Sequence, residues 1–272
     1  MQCETDKATI DYEVHGEGRP ILLLHGWTMD RRVEIYDYEK IFATRPGWQR
    51  IYPDLPGMGR SVAKAGLFSQ DDVLEALLAF IDRVLPDGRF ALAGTSLGAY
   101  LARAVAARRR SRIAGLLLRV PCIFAEDARR TLPPFQALVA DPDDRADLRG
   151  LLIQTPAYAQ ALKHKDETVV QPAIQATAPI ANEIRADPKR YGFSFDLVEA
   201  EKTFEEPTLI ITGRRDTTVG YRDAWSILDS YPRATFVALD RADHGWPMET
   251  PNLLPALIDD WLARMALAER SA

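Results

Sequence analysis

The pentapeptide Gly94-Thr95-Ser96-Leu97-Gly98 constrains the fold of this chain more than any other feature. The stretch before it, residues 89–93, is mostly apolar and typical of a buried strand. The segment after it, residues 99–107, is rich in helix formers and contains neither proline nor glycine. A serine between two glycines at a strand-to-helix turn is the nucleophile-elbow pattern, in which a strained backbone exposes the hydroxyl. The sequence therefore predicts that Ser96 is a catalytic nucleophile.

Composition limits the classes of partner and cofactor. The chain has 272 residues, of which 47% are apolar, and its net charge of −5 gives no reason to expect a nucleic-acid partner. Two cysteines, Cys3 and Cys122, form neither a disulfide framework nor a metal-ligand spacing. The N-terminus lacks the apolar core of a signal peptide, and no run of 18 apolar residues occurs. We expect a cytoplasmic protein with no membrane contact, no metal and no cofactor.

Strand and helix patterns alternate along most of the chain. Strands are predicted at residues 9–14, 20–24, 48–53, 89–93, 113–120, 208–212 and 235–240. Helices are predicted at residues 73–85, 99–107, 222–230 and 253–265. Strands separated by helices favour an α/β fold with a doubly wound, mostly parallel sheet and helices on both of its faces.

The alternation is interrupted over residues 122–203. This segment has no clean strand pattern, contains several helical stretches broken by prolines, and is too long for a loop. We interpret it as a helical cap inserted into a core formed by residues 1–121 and 204–272. Ligands of open α/β sheets bind at the carboxyl ends of the strands, which the cap is expected to cover. Its side chains, for instance Phe135, Leu151 and Tyr158, are therefore predicted to control substrate choice.

A serine hydroxyl is a weak nucleophile and needs an adjacent base, for which the chain offers four histidines. His164 lies in Lys163-His164-Lys165 of the presumed cap, where a surface position is expected, and His15 is remote from the elbow. His25 is interpreted as a structural residue of its loop. His244 follows the last predicted strand at the carboxyl edge of the sheet, and we predict that it is the general base.

The base needs a carboxylate that fixes its tautomer and stabilises the imidazolium. Strand 208–212 runs directly into Gly213-Arg214-Arg215-Asp216, which places Asp216 on a turn at the carboxyl edge of the sheet. Asp240, which ends the neighbouring strand, is the serious rival, whereas Asp243 is adjacent to the base and is expected to point elsewhere. With Asp216 as the acid, the chain order is Ser96, Asp216, His244.

An oxyanion that forms on the substrate requires two hydrogen-bond donors. The N–H of Leu97 begins the helix after Ser96, where free amides attract negative charge. Gly26, after strand 20–24, would allow the backbone to present the N–H of Trp27 to the same point. The substrate pocket is predicted to be apolar and to involve Trp27, Trp246, Phe135 and Tyr158, with plain core packing as the alternative for these side chains.

Together the motifs resemble those of the α/β-hydrolase superfamily, in family order. They are His25-Gly26-Trp27, Asp54-Leu55-Pro56-Gly57-Met58-Gly59-Arg60-Ser61, the elbow, Gly213-Arg214-Arg215-Asp216 and Asp243-His244-Gly245. The resemblance implies an eight-stranded, mostly parallel sheet, a cap after the sixth strand and acyl-enzyme chemistry. Related haloalkane dehalogenases and epoxide hydrolases place an aspartate at the elbow, so Ser96 argues against those activities.

These observations predict a serine hydrolase that cleaves an ester or ester-like carbonyl bond of a small molecule with an apolar acyl part. Two alternatives stay open at this level. One is a C–C bond hydrolase that acts on a dienoate. The other is a small-molecule-binding protein that keeps the fold and has lost turnover.

Overall fold

The computed structural model describes residues 1–134, 156–245 and 252–270. Its strands are β1 (Gln2–Glu4), β2 (Ala8–His15), β3 (Arg19–Leu24), β4 (Trp48–Pro53), β5 (Val62–Ala63), β6 (Phe90–Thr95), β7 (Ile113–Arg119), β8 (Thr208–Gly213) and β9 (Ala234–Leu239). Its α-helices are α1 (Arg31–Phe42), α2 (Gln70–Val84), α3 (Leu97–Arg108), α4 (Pro156–Lys165), α5 (Gln171–Gln175), α6 (Pro179–Ala186), α7 (Pro188–Tyr191), α8 (Leu197–Glu201), α9 (Arg222–Ser226) and α10 (Leu253–Arg270).

Eight of these strands form one path through the sheet, in the order β1-β2-β4-β3-β6-β7-β8-β9. Along this path, all neighbouring strands from β4 to the end at β9 are parallel. Strand β2 pairs antiparallel with β1, with β4 and with the two-residue β5. The predicted fold class, a mostly parallel eight-stranded α/β-hydrolase sheet, is confirmed. Because parallel strands end at the same edge, the loops after β3, β6, β7, β8 and β9 converge there.

Alternate strand residues separate the core into two layers. In β3, Leu22 and Leu24 pack with α2 and α3 on one face, whereas Ile21 and Leu23 pack with α1 and α10 on the other. Strands β6, β7 and β8 are buried along almost their whole length. This explains why their sequences read as continuous apolar runs, which is the expected pattern for central parallel strands covered on both faces.

The first helix is the main element that the sequence patterns did not predict. Helix α1 buries Arg31, Glu34 and Asp37 beside apolar residues, so its apolar periodicity is weak. Its start is defined by Asp30, whose carboxylate accepts the N–H of Arg32 as an N-cap. The predicted helix 222–230 was too long, because α9 ends at Ser226 and a separate 3₁₀ turn covers Leu228–Ser230.

A helical insertion lies between β7 and β8, the sixth and seventh strands of the main path. It contains α4 to α8, with a π-helical turn at Asp166–Val170. Glu201, at the end of α8, ties the insertion to the core through a buried ion pair with Arg103 of α3, at 2.5 Å. The boundaries 122–203 remain a prediction.

Candidate active site

Ser96 lies on a strained turn between β6 and α3. Its φ and ψ angles are +56° and −111°, a region that residues with a side chain rarely occupy. A Cβ on Gly94 would lie 2.3 Å from the carbonyl oxygen of Gly98, and one on Gly98 would lie 2.1 Å from that of Leu24. Only glycine fits at these two positions, which lets strand, turn and helix pack closely around the serine.

The side chains of Ser96, His244 and Asp216 form a hydrogen-bonded chain. His244 Nε2 lies 3.0 Å from Ser96 Oγ, and His244 Nδ1 lies 2.9 Å from Asp216 Oδ2. With Nδ1 protonated and donating to the carboxylate, Nε2 can accept the proton of the serine hydroxyl. The structure therefore brings together the three residues that the sequence suggested as nucleophile, base and acid.

Asp216 is fully buried and is held by the turn that follows β8. Its Oδ1 accepts the N–H of Thr218 at 2.8 Å and the N–H of Val219 at 3.0 Å. Burial raises the pKa of this carboxyl, but His244 and the two backbone donors outweigh burial, so the pKa lies below its usual value. Asp216 is therefore ionised at neutral pH and can stabilise a protonated His244.

The rival acids have other surroundings. The side chain of Asp240 is 76% exposed, and its Oδ1 lies 3.2 Å from a guanidinium nitrogen of Arg215. Asp243 Oδ1 accepts the N–H of Gly245 at 2.8 Å, within its own loop. The geometry favours Asp216 over both.

Gly213 allows the loop of Asp216 to approach the loop of His244. A Cβ on Gly213 would lie 2.4 Å from the carbonyl oxygen of Ala242. The N–H of Arg215 donates to the same oxygen at 2.9 Å and fixes the two loops against each other. In the motif Gly213-Arg214-Arg215-Asp216, the first position therefore needs glycine for close packing of the two loops, and the last position supplies the carboxylate.

The two suggested oxyanion donors belong to the loops on either side of the serine. Neither the N–H of Trp27 nor that of Leu97 has a hydrogen-bond partner among the described residues. Gly26 is not in the left-handed region, so backbone freedom is not the reason for glycine there. The left-handed residue of this loop is Thr28, with φ of +59°. A Cβ on Gly26 would lie 3.5 Å from that of Ser96, an ordinary van der Waals contact, so lack of space does not require glycine there either.

His25 fixes the loop that carries Trp27. Its Nδ1 donates to the carbonyl oxygen of Gly26, and its Nε2 accepts the N–H of Leu55, both at 2.8 Å. Burial lowers the pKa of this imidazole, in keeping with a neutral ring that donates once and accepts once. These contacts are those of a structural histidine.

A cavity of about 350 Å³ opens beside the serine and is lined by Ser96, His244 and Trp27. The insertion contributes the apolar side chains of Leu162, Val170 and Tyr191 to the lining. Sequence reasoning did not single out these three. Of the other suggested pocket residues, Phe135 and Trp246 lie outside the described residues, as does the side chain of Tyr158, which belongs to α4.

The cavity also has a charged wall that the sequence patterns did not reveal. Lys165 Nζ lies 2.8 and 2.9 Å from the two carboxylate oxygens of Asp37, and Arg119 Nη1 lies 2.7 Å from Asp37 Oδ2. Burial raises the pKa of Asp37, but the two cations outweigh burial and hold it at about 2. The sequence predicts a surface position for His164, which directly precedes Lys165. His164 is exposed, whereas Lys165 is buried.

Glu34 lies on the same wall, one helical turn before Asp37. It is buried, and burial raises the pKa of its carboxyl to about 7, because Arg119 only partly offsets the loss of solvation and Asp37 adds to it. Its Oε1 has no hydrogen-bond partner among the described residues. Contacts between residues so far apart in the chain leave no local sequence signal. The one indication is that α1 carries charged residues at positions that face the core.

Two further features concern the part of the chain that the structure describes. It contains no helix that is both long and apolar enough to cross a membrane. It also contains no group of three or more histidine, cysteine, aspartate or glutamate side chains that could hold a metal ion.

Comparison with known proteins places this site in a family. A haloalkane dehalogenase of Mycobacterium tuberculosis H37Rv is 24% identical over 269 residues, covering 94% of this chain and 92% of that protein. A pimeloyl-[acyl-carrier protein] methyl ester esterase of Aeromonas salmonicida is 27% identical over 246 residues, covering 87% and 92%. The crystal structure of an alpha/beta superfamily hydrolase from Oenococcus oeni PSU-1 superposes with a TM-score of 0.81 at 26% identity, over 98% of this chain and 99% of that one.

The sequence model of the Alpha/beta hydrolase family matches residues 21–254, which include the elbow, the turn after β8 and the loop of His244. That match spans most of the chain and agrees with the sheet order and the position of the insertion. The chain therefore belongs to the Alpha/beta hydrolase family.

Proposed function

We propose that this hydrolase is a serine esterase that cleaves an ester, or an ester-like carbonyl bond, of a small molecule through an acyl-enzyme intermediate. The observation that carries the proposal is the hydrogen-bonded chain from Ser96 Oγ through His244 to Asp216 at a strained elbow. The three side chains are within hydrogen-bonding distance in the order nucleophile, base and acid that this mechanism requires. The cavity beside the serine is large enough for a small acyl group.

The first half-reaction forms the acyl-enzyme. Ser96 Oγ attacks the carbonyl carbon while His244 Nε2 takes the hydroxyl proton, and Asp216 stabilises the imidazolium. The negative charge moves to the carbonyl oxygen, which accepts hydrogen bonds from the N–H groups of Trp27 and Leu97 in this proposal. One such donor is worth about 10²–10³ in rate. The carbon–oxygen bond of the ester then breaks, and His244 returns its proton to the departing alcohol.

The second half-reaction repeats these steps with water. His244 removes a proton from the water as it attacks the acyl carbonyl, and the proton then returns to Ser96 Oγ as the free acid leaves. No step requires a metal ion or a redox cofactor.

Dehalogenation, the activity named for one relative, does not suit a serine at the elbow. Displacement of a halide from an alkyl carbon by Ser96 would leave an ether on the enzyme. An ether has no carbonyl for water to attack, so the enzyme would stop after one event. An ester acylates the same oxygen reversibly, which makes acyl transfer the better match to Ser96.

Initial rates with p-nitrophenyl esters of increasing acyl length test the proposal, with the Ser96→Ala variant as the control. We expect turnover by the wild-type protein and loss of nearly all of it in the variant, whose fold should be intact because only a hydroxyl is removed. A C–C hydrolase would turn over a dienoate ketone much faster than any ester. A protein that only binds its ligand would show no release of nitrophenol above the rate of the variant.

A further inference from the structure

The side chains that line the cavity beside Ser96 include more basic than acidic groups, although the chain has a net charge of −5. The basic side chains of its lining are Arg119, Arg130, Lys165 and Arg185. The acidic side chains of its lining are Glu34 and Asp166. The basic side chains form two pairs, and each pair shares one aspartate. Each group of three charges is therefore positive by one unit, and the carboxylates of Glu34 and Asp166 offset this charge when both are ionised.

The inner pair is Arg119 and Lys165, which share Asp37. The side chains of these three residues are 2%, 7% and 7% exposed, so water screens their charges little. Burial lowers the pKa of Lys165, and Asp37 opposes that shift. We treat Lys165 as an ammonium, because its nitrogen contacts both oxygens of a carboxylate that stays ionised down to a pH of about 2.

The outer pair is Arg130 and Arg185, which share Asp127. Each guanidinium has a nitrogen 2.7 Å from Asp127 Oδ1. The aspartate is 63% exposed, whereas the side chain of Arg130 is 5% exposed. Arg185 also stacks over the ring of Trp27, at 5.5 Å from its centroid. This pair therefore lies close to the loop that carries Trp27, one of the two suggested oxyanion donors. Both pairs therefore face the space that an acyl group would enter from Ser96.

The charged wall of the cavity, formed by Glu34, Asp37, Arg119 and Lys165, also contains polar atoms that could form further hydrogen bonds. Glu34 and Thr95 interact with each other on this wall, but Glu34 Oε1 and Thr95 Oγ1 are buried without a hydrogen bond of good geometry among the described residues. Lys165 Nζ donates to both carboxylate oxygens of Asp37 and lies 5.6 Å from the centroid of the Tyr36 ring, and no other described residue accepts a hydrogen bond from it. Buried polar groups without partners cost free energy, which a ligand that pairs with them would recover.

This wall is close to the reacting atom. Thr95 precedes Ser96 and is the neighbour of Arg119 in the parallel pairing of β6 with β7. The N–H of Ser96 donates to the carbonyl oxygen of Arg119 at 2.9 Å. A short acyl chain attached to Ser96 could therefore reach the wall.

We propose that the acyl part of the substrate ends in a carboxylate, which binds between Lys165 and Glu34 while a short apolar stem packs against Leu162 and Val170. The substrate class would be a monoester of a small dicarboxylic acid. This inference rests on the proposed esterase function, and it refines the expectation of an apolar acyl part by adding an anionic end group.

Glu34 makes this binding depend on pH. The groups that face it are Asp37 and Tyr38 of α1, Thr95 of β6, Arg119 of β7 and Lys165 of α4. With Glu34 ionised, its charge offsets the excess charge of the inner pair, and a ligand carboxylate would meet a neutral wall. With Glu34 protonated, the wall is positive and its hydroxyl can donate to the ligand. Binding of a carboxylate should therefore take up a proton at Glu34 above pH 7.

Calorimetric binding to the Ser96→Ala variant tests the site without turnover. The probes are monomethyl succinate, glutarate and adipate, each compared with the methyl ester of the unbranched acid of equal carbon number. We expect at least one half-ester to bind about tenfold or more tightly than its neutral match, since a charge-assisted hydrogen bond is gained. Titrations at pH 8 in buffers of different ionisation enthalpy should reveal proton uptake for the half-ester alone.

Second substitutions in the Ser96→Ala background locate the effect. Lys165→Met should remove the preference for the half-ester. Glu34→Gln, which keeps the shape and fixes the neutral state, should abolish proton uptake and strengthen binding of the half-ester at pH 8. Lys163→Met is the matched control, because Lys163 lies on the same helix, is 62% exposed and pairs with Glu167. It should change neither quantity.

The outcomes separate this site from the esterase function. Equal binding of half-esters and neutral esters by Ser96→Ala contradicts the carboxylate site. A preference that survives Lys165→Met in folded protein, or proton uptake at pH 8 that survives Glu34→Gln, contradicts it as well. Selective binding of half-esters without hydrolysis by the wild-type protein would support the carboxylate site and contradict the esterase function. Selective binding of a dienoate carboxylate, with cleavage of its C–C bond, would support the carboxylate site and identify the protein as a C–C bond hydrolase instead of an esterase.

Discussion

His244 Nδ1 lies 2.9 Å from Asp216 Oδ2, and the carboxylate that forms this contact is fully buried. The other oxygen of Asp216 is held by two backbone N–H groups, so the acid cannot turn away from the imidazole. This arrangement fixes which nitrogen of His244 carries the proton in the resting enzyme.

Asp216→Asn should reduce kcat by about 10⁴, because an amide in this place can donate to Nδ1 and select the wrong tautomer. The measurement is the steady-state hydrolysis of a p-nitrophenyl ester. Asp240→Asn is the matched control, since its exposed carboxylate pairs with Arg215 and should leave kcat nearly unchanged. A larger loss in Asp240→Asn would reverse the assignment of the acid.

The triad geometry could be anticipated because its signals are local. Ser96 follows β6 directly, and Asp216 and His244 lie in the loops after β8 and β9. Parallel strands bring such positions to one edge of the sheet. The charged wall could not be anticipated, since it joins Glu34 of α1 to Lys165 of α4 across a long stretch of chain. A buried lysine between two polar neighbours looks like a surface residue until its partner is known.

The elbow depends on the absence of a side chain at position 98. Gly98→Ala should reduce the free energy of unfolding by about 3 kcal/mol or more, because a Cβ would lie 2.1 Å from the carbonyl oxygen of Leu24. Gly26→Ala is the control, with 3.5 Å to the nearest atom and an expected change of about 1 kcal/mol or less. Urea denaturation of both variants measures the difference. Similar losses in the two variants would contradict this packing.

Asp37 should contribute stability that depends on pH. Its folded pKa of about 2 lies below its ordinary value of 3.8, so the contribution is complete above pH 4 and is lost as the pH falls towards 2. Asp37→Asn leaves Arg119 and Lys165 without their shared anion and should cost about 3–5 kcal/mol at pH 7.

The difference between wild type and Asp37→Asn should therefore shrink between pH 4 and pH 2. Denaturation midpoints across this range provide the measurement. Asp82→Asn, which removes an exposed partner of Arg109, should cost about 1 kcal/mol or less at pH 7. A difference for Asp37→Asn that is independent of pH would show that its ionisation is not the cause.

The insertion should influence which acyl chains are preferred. Leu162 of α4 is buried and lines the cavity, so Leu162→Ala should enlarge it and shift relative kcat/KM towards longer or branched acyl groups by about tenfold. Val198→Ala serves as the control, because Val198 is exposed on α8 and is not part of the lining. An unchanged chain-length profile, with only stability lost, would assign Leu162 to packing alone.

The central claim is that Ser96 is an activated nucleophile. A fluorophosphonate reacts with such a serine and leaves a stable phosphonyl group on its oxygen, so intact-mass measurement followed by peptide mapping tests the claim directly. We predict one adduct per chain, located on Ser96, with much slower labelling in Asp216→Asn. Folded wild-type protein that stays unlabelled, or that carries the adduct on another residue while Ser96 is unmodified, would contradict the claim.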